Sequence, residues 1–134
     1  MLSQRLNERI QDEIKKARLS YLVKDMAPAS FPELCASGAL IVWSGASEDT
    51  IYGSAAVNHM FRAWHDSLHL KLGADFSLAG ETIVGLEQAR ILGGGLGDIV
   101  MAEVVGQVEY LLKYGTFPVD QKQFVISYLK LKKV

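Results

Sequence analysis

All three histidines of this 134-residue chain, His59, His65 and His69, fall within eleven consecutive residues. At about 100° per residue in an α-helix, Asn58, His59, Arg62, His65, Asp66 and His69 share one arc of roughly 120°. Phe61, Trp64 and Leu68 lie on a second arc suited to a core, and Ser67 and Lys71 on a third suited to water. The histidine face is therefore more than the water-facing remainder of the helix. His65 and His69 are four residues apart, so their rings project from successive turns toward one point, and Asp66 beside them is a hard oxygen donor. Imidazole and carboxylate together suit a divalent transition metal, with zinc, manganese, iron and nickel all accepting such a set. The competing reading is a polar stripe whose histidines bond to neighbouring side chains and backbone.

Companions to this face stand further along the chain. Glu81 and Gln88, seven apart, share one helical face, and Glu103, Gln107 and Tyr110 form a second stripe. Glu81 and Glu103 are expected to complete the coordination sphere, or to take a proton from a water that the metal acidifies. Glu87 and Glu109 are alternatives, each turned about 120° from those stripes. Arg62 offers a guanidinium for an anionic substrate group such as phosphate. His65 and His69 are the principal expected ligands, with Asp66 beside them and His59 at the margin, a turn and a half away.

The stretch Asn58-His59-Met60-Phe61-Arg62-Ala63-Trp64-His65-Asp66, followed by His69, resembles an N-x-x-F-R-A-x-H-D…H segment of uncharacterised proteins of bacteriophages and related mobile elements. In that group a G-E pair follows the histidine helix and an E-x-x-G-Q element comes later, which Gly80-Glu81 and Glu103-Val104-Val105-Gly106-Gln107 match. The group has one more residue between the Asp and the second His, and a histidine where Gln88 stands here. The resemblance covers less than half the chain and implies a phage-type origin and a shared polar site, with no activity attached. His65-Asp66-Ser67-Leu68-His69 also resembles the H-D-x-x-H signature of HD-type metal-dependent phosphohydrolases. Those carry another histidine on an earlier helix and a later aspartate, for which Asp98 is the candidate here. The paired Glu-x-x-His elements of a ferritin-like di-iron site are absent.

Two functions follow as expectations. One is a metal-dependent hydrolase acting on a small or phosphate-bearing substrate. The other is a non-enzymatic phage protein that binds a host factor, its polar face holding a structural ion or a hydrogen-bond network.

A mainly α bundle of four to five helices, with at most one short strand, is expected to position these residues. Leu2, Leu6, Ile10, Ile14 and Ala17 recur at helical spacing, predicting an amphipathic helix that ends near Lys24. Pro28 and Pro32 break the pattern, and Phe31 to Ala36 is a further short turn of helix. Ala39 to Trp43 is an apolar run between Gly38 and Gly45, a strand or an extended crossing of the core. After a loop, Ser54 caps the long histidine helix through Leu72. A helix from about Gly80 to Leu92 ends at the run Gly93 to Gly97, Asp98 caps the next as far as Tyr114, and Gly115 stops it. The last helix, from about Asp120 to Lys132, offers Phe124, Leu129 and Leu131 as anchors. The predicted core is Phe61, Trp64, Leu68, Val84, Val104, Val108 and Leu111.

One domain with one core accommodates 134 residues. With 49% hydrophobic and 22% charged residues and a net charge of -1, nothing points to disorder or to a nucleic-acid partner. Trp43, Tyr52 and Trp64 lack the basic surroundings of a base-stacking surface and are read as core or pocket wall. No apolar stretch approaches the roughly 20 residues of a membrane span. The single cysteine, Cys35, cannot close an internal disulfide and has no local base, and no leader-like segment opens the chain, so the expected compartment is the cytoplasm, or the host cytoplasm for a viral protein. Ser44 lacks a nucleophile-elbow setting, and the glycine run lacks the strand and Lys-Ser/Thr pair of a nucleotide loop.

Overall fold

The computed structural model describes residues 2–48 and 50–132, with side chains as far as residue 130. The first helix, α1 (Gln4–Ala17), is capped by Ser3, whose hydroxyl accepts from the Leu6 amide, and buries Leu6 and Ile10. It ends at Arg18, whose left-handed φ of 50° turns the chain, well short of the boundary near Lys24 that periodicity predicts. Residues beyond it form β1 (Tyr21–Lys24), which pairs in parallel with β2 (Leu40–Trp43) in the register Tyr21 to Leu40. A parallel pair needs a crossover, supplied here by α2 (Phe31–Ser37), with Pro32 in its first turn where a missing amide costs nothing. Of the two readings of the apolar run at 39–43 the strand forms, over Leu40–Trp43, and pairs with a second short strand where at most one was expected.

The histidine helix α3 (Ala55–Leu72) starts at Ser54, whose hydroxyl accepts from the Val57 amide, and ends at Gly73 with φ 63°. Helix α4 (Leu78–Leu92) begins at Ser77 rather than near Gly80. Only Gly93 interrupts the chain after it. Helix α5 (Gly94–Met101) resumes at once, so Asp98 lies inside that helix and does not cap it. Gly97 has a packing role in place of a turn: a Cβ there would sit 2.8 Å from the Ala89 carbonyl oxygen, so its absence lets α4 and α5 approach closely. A π-helical segment (Ala102–Gly106) and α6 (Gln107–Tyr114) continue α5 without a break, ending at Gly115. The last helix, α7 (Gln121–Lys132), starts where the Asp120 carboxylate accepts from the Gln123 amide.

The fold is mainly α, with five longer helical runs, the short α2 and the two-stranded sheet among the described residues. Phe61, Trp64, Leu68, Val84 and Val104 are buried in a core shared with Leu6, Ile10, Tyr52, Val100 and Val125. Val108 and Leu111 are only partly covered, because the π segment changes which residues of the following helix face inward. Phe124 and Leu129 pack against the core from α7, while the Leu131 side chain lies outside the described residues. Among the described residues no helix is long and apolar enough to cross a membrane.

Candidate metal centre

Helix α3 carries His65 and His69 on successive turns, and the first turn of α4 brings Glu81 to them. His65 Nε2 lies 2.8 Å from Glu81 Oε2, His69 Nε2 lies 3.3 Å from the same oxygen, and the two Nε2 atoms are 3.1 Å apart. Three lone-pair atoms thus meet around one point. Ligands at about 2.0–2.1 Å from a single ion are separated by about 3.0 Å at right angles and about 3.4 Å in a tetrahedron, so the three separations match one ion's donor set.

The outward nitrogens explain why these edges point inward. His69 Nδ1 donates to the Ala74 carbonyl at 2.8 Å, which leaves its Nε2 as an acceptor. His65 Nδ1 faces Gln88 Oε1 at 2.8 Å and donates to it. Metal-bound histidines commonly make such outer hydrogen bonds, which fix the tautomer and the ring orientation. Two acceptor nitrogens and a carboxylate cannot sit at 3 Å from one another without a cation between them; a proton on His65 or a metal ion can fill that role. Apolar rings complete the surroundings, with Phe61 stacked on His65 at 6.0 Å and Phe76 edge-on to His69 at 4.9 Å.

Local sequence determines this arrangement. The left-handed turn at Gly73 lets the Ala74 amide bond the His69 carbonyl, and the same residue's carbonyl receives the His69 ring. Asp75 then accepts from the Ser77 amide and hydroxyl, starting α4 directly over α3. Gly80 is required in this turn, since a Cβ would lie 1.9 Å from the carbonyl oxygen of Asp75 in the connection before α4. The Gly80-Glu81 pair therefore has a geometric reason: the glycine lets the first turn of α4 close on the Asp75 backbone, and the next residue reaches the histidines. Gly106 acts similarly under Tyr128, whose ring would be 3.0 Å from a Cβ there.

A cavity of about 310 Å³ opens beside the cluster and touches His65 and Glu81, while His69 is fully buried behind them. Its other walls include Trp43, Phe61, Glu103, Gln107, Val108 and Phe117. No family model, curated protein or solved structure matches the chain.

Electrostatics divides the carboxylates. Burial works to raise the Glu81 pKa, but hydrogen bonds and charge from His65 and His69 outweigh it and hold the group down at about 2. Burial works to lower the His65 pKa, and the Glu81 carboxylate with Gln88 reverses this to a net rise. Glu103 is pushed up to about 7 by burial, against opposing effects of Gln107, Arg62 and His65. Its Oε2 is shielded from solvent and has no hydrogen-bond partner. Asp66 is raised to about 6, again by burial.

The structure brings together His65, His69 and Glu81 of the expected ligands. Asp66 and His59 stand outside this group of three, and the buried His59 Nε2 has no partner. Glu103 lines the cavity without joining the three. Glu87 is paired with Arg90 on the surface, Glu109 is exposed, and Asp98 lines a different cavity beside the glycine run. Arg62, expected to meet a substrate anion, gives its NH1 to the Trp43 and Gly45 carbonyls and its NH2 to that of Ala46, tying down the loop after β2. A substrate anion would have to compete with those carbonyls. Asn58, with its amide oxygen toward Arg62 Nε and Ser47 Oγ at 3.2 Å, belongs to the same anchor. Sequence reasoning missed the Ala74 carbonyl, which has no side-chain signature. It also missed Phe117 and Gln121, brought to the cavity from the α6–α7 corner.

Proposed function

We propose that the protein is a metal-dependent hydrolase whose ion is held by His65, His69 and Glu81, with the cavity as its substrate site. One observation carries this reading: three ligand atoms converge with the outward nitrogen of each histidine already donating to an oxygen, and the side facing the cavity is left free. Catalytic zinc sites combine three protein ligands with an open position, whereas structural sites use four. A bound ion supplies Lewis acidity toward water and substrate. Glu103, buried on the cavity wall with its pKa near 7, accepts and returns the proton, since a general base works best near the operating pH. His69, through Ala74, and His65, through Gln88, keep both imidazoles aimed. Phe61 and Phe76 restrict water around the ligands.

The test begins with elemental analysis of protein purified without a histidine tag, then with zinc, manganese, iron or nickel added back. One equivalent of metal and a higher melting temperature are expected, both lost in His65→Ala and His69→Ala and kept in Ser67→Ala. In the cobalt-loaded protein, added azide should shift the visible spectrum by entering the open position. No metal uptake, with melting curves unaffected by any of the four ions, leaves a proton-bridged polar network and removes the hydrolase reading. Metal uptake without response to azide means a closed, structural ion.

A further inference from the structure

We propose that the Tyr52 hydroxyl is the internal donor to Glu103 Oε2, and that this bond positions the Glu103 carboxyl at the cavity wall. The catalytic meaning of the bond rests on the reading of Glu103 as proton acceptor. The bond itself requires neither metal nor substrate.

Two sealed atoms carry the inference. Glu103 Oε2 and the Tyr52 hydroxyl are both out of reach of solvent, and neither has a hydrogen-bond partner as the side chains stand. Tyr52 is 0% exposed and does not line the cavity, so nothing entering from outside satisfies its hydroxyl. Buried polar atoms in folded proteins are almost always paired, because one left alone has lost its bond to water and gained nothing. A pairing for these two must therefore come from within the chain. Their chemistries are complementary, since a phenol donates and a carboxyl oxygen accepts.

The surroundings put the two groups side by side. Arg62 responds to both of them: burial lowers its pKa, and Glu103, Tyr52 and Asp66 oppose that fall. Burial first and the Glu103 charge second push the Tyr52 hydroxyl well above its ordinary value, against Arg62, so it keeps its proton and stays a donor near neutral pH. Other nearby donors are committed. Arg62 gives its NH1 and NH2 to the loop carbonyls at 43, 45 and 46, and Gln107 bonds the carboxyl while Oε2 stays unserved. Gln88 Nε2, also without a partner, belongs to an amide held at His65. The tyrosine end of the pair is fixed, with its ring tilted against Phe61 at 5.3 Å and its carbonyl accepting from Asn7 Nδ2 at 2.8 Å. Glu103, unbranched and carried on the π-helical segment, has the rotatable bonds that bring its oxygen to the hydroxyl.

The test compares metal-free wild type with Tyr52→Phe, which removes the hydroxyl and keeps the ring. In wild type carrying labelled tyrosine, the Tyr52 hydroxyl proton should exchange slowly with water, and its NMR signal should move in Glu103→Met. The Glu103 carboxyl is then followed through its own carbon signal between pH 4.5 and 9. It faces Arg62 and His65 from α3, Gln107 from α6 and Tyr52 from the loop before α3, with Glu81 on the wall of the same cavity. Only the hydroxyl differs in Tyr52→Phe, so the midpoint should rise by about half a unit or more, because a donor to the charged form is gone. In urea at pH 8.5, Tyr52→Phe should raise the unfolding constant about tenfold, as for a lost hydrogen bond to a charged group, and less than about twofold in a Glu103→Met background. A phenol that only fills space would cost the same in both backgrounds and leave the midpoint in place, and either result overturns the inference. So does a rapidly exchanging hydroxyl proton in wild type, a measurement that decides even where Tyr52→Phe fails to fold. Detection of the bond in a protein that takes up no metal supports this inference and removes the hydrolase reading alone.

Discussion

Replacing Glu103 with glutamine should stabilise the metal-free protein at high pH and do nothing at low pH. The Glu103 carboxyl is raised from an ordinary 4.5 to about 7, chiefly because burial disfavours the charge. A folded-state pKa above the unfolded value means the folded protein holds the proton more tightly. The stability this proton contributes is fully present below pH 4.5 and is lost as the pH rises through 7. The shift is about 2.5 units, and at 1.36 kcal/mol per unit this amounts to an upper figure of about 3 kcal/mol above pH 8. Glutamine mimics the protonated acid and never ionises. The variant should therefore match wild type at pH 4.5 and exceed it by about 2–3 kcal/mol at pH 8, or several degrees in melting temperature for a chain of this size. Urea unfolding at half-unit steps between pH 4.5 and 8.5, with a chelator throughout, measures the difference directly; titrating groups that do not interact with Glu103 cancel in the subtraction, and His65, which does, is controlled by repeating the pair in a His65→Ala background. A difference that stays constant across this range would show that the carboxyl ionises normally, and would end both its assignment as a buried acid and its role as proton acceptor near neutrality.

Gln88→Ala should lower metal affinity about 10–100-fold while leaving all three ligands in place, because it frees His65 to rotate; isothermal titration with zinc measures it. Gly80→Ala should cost about 1–3 kcal/mol in urea unfolding and weaken zinc binding too, since the steric penalty at the Asp75 carbonyl exceeds the gain of up to about 1 kcal/mol in helix propensity. Arg62→Ala should lose about 2–3 kcal/mol through the loop carbonyls it holds, with metal content unchanged, and Arg62→Lys should recover only part, because an ammonium cannot fork across three carbonyls. Unaltered stability in Arg62→Ala would return this residue to the role of a free substrate contact.

The helices that carry the site were legible because their signals are local. A 3.6-residue spacing placed His65 and His69 on one face of α3, a serine cap and a glycine stop bounded that helix, and seven-residue spacing put Glu81 and Gln88 on one side of α4. Donor type alone also narrowed the chemistry to a metal or a polar network. Which glutamate meets the histidines was not local information. Glu81 and Glu103 had equal standing in the sequence, and what distinguishes them is how the connection from α3 folds against the start of α4, where Gly80 lies on the Asp75 backbone. Glu103 is instead carried on a π-helical segment within the continuous α5–α6 run, so its stripe with Gln107 and Tyr110 could not be read from 3.6-residue geometry. The strand β1 was hidden for a related reason: four residues show no alternation of their own and become a strand only through pairing with Leu40–Trp43, nineteen positions away. Glycines misled the reading where they serve packing instead of turning, as at Gly97. The sequence by itself determined which side chains share a helical face, since that depends on rotation per residue; tertiary structure decided which faces meet, since that depends on how separate elements pack.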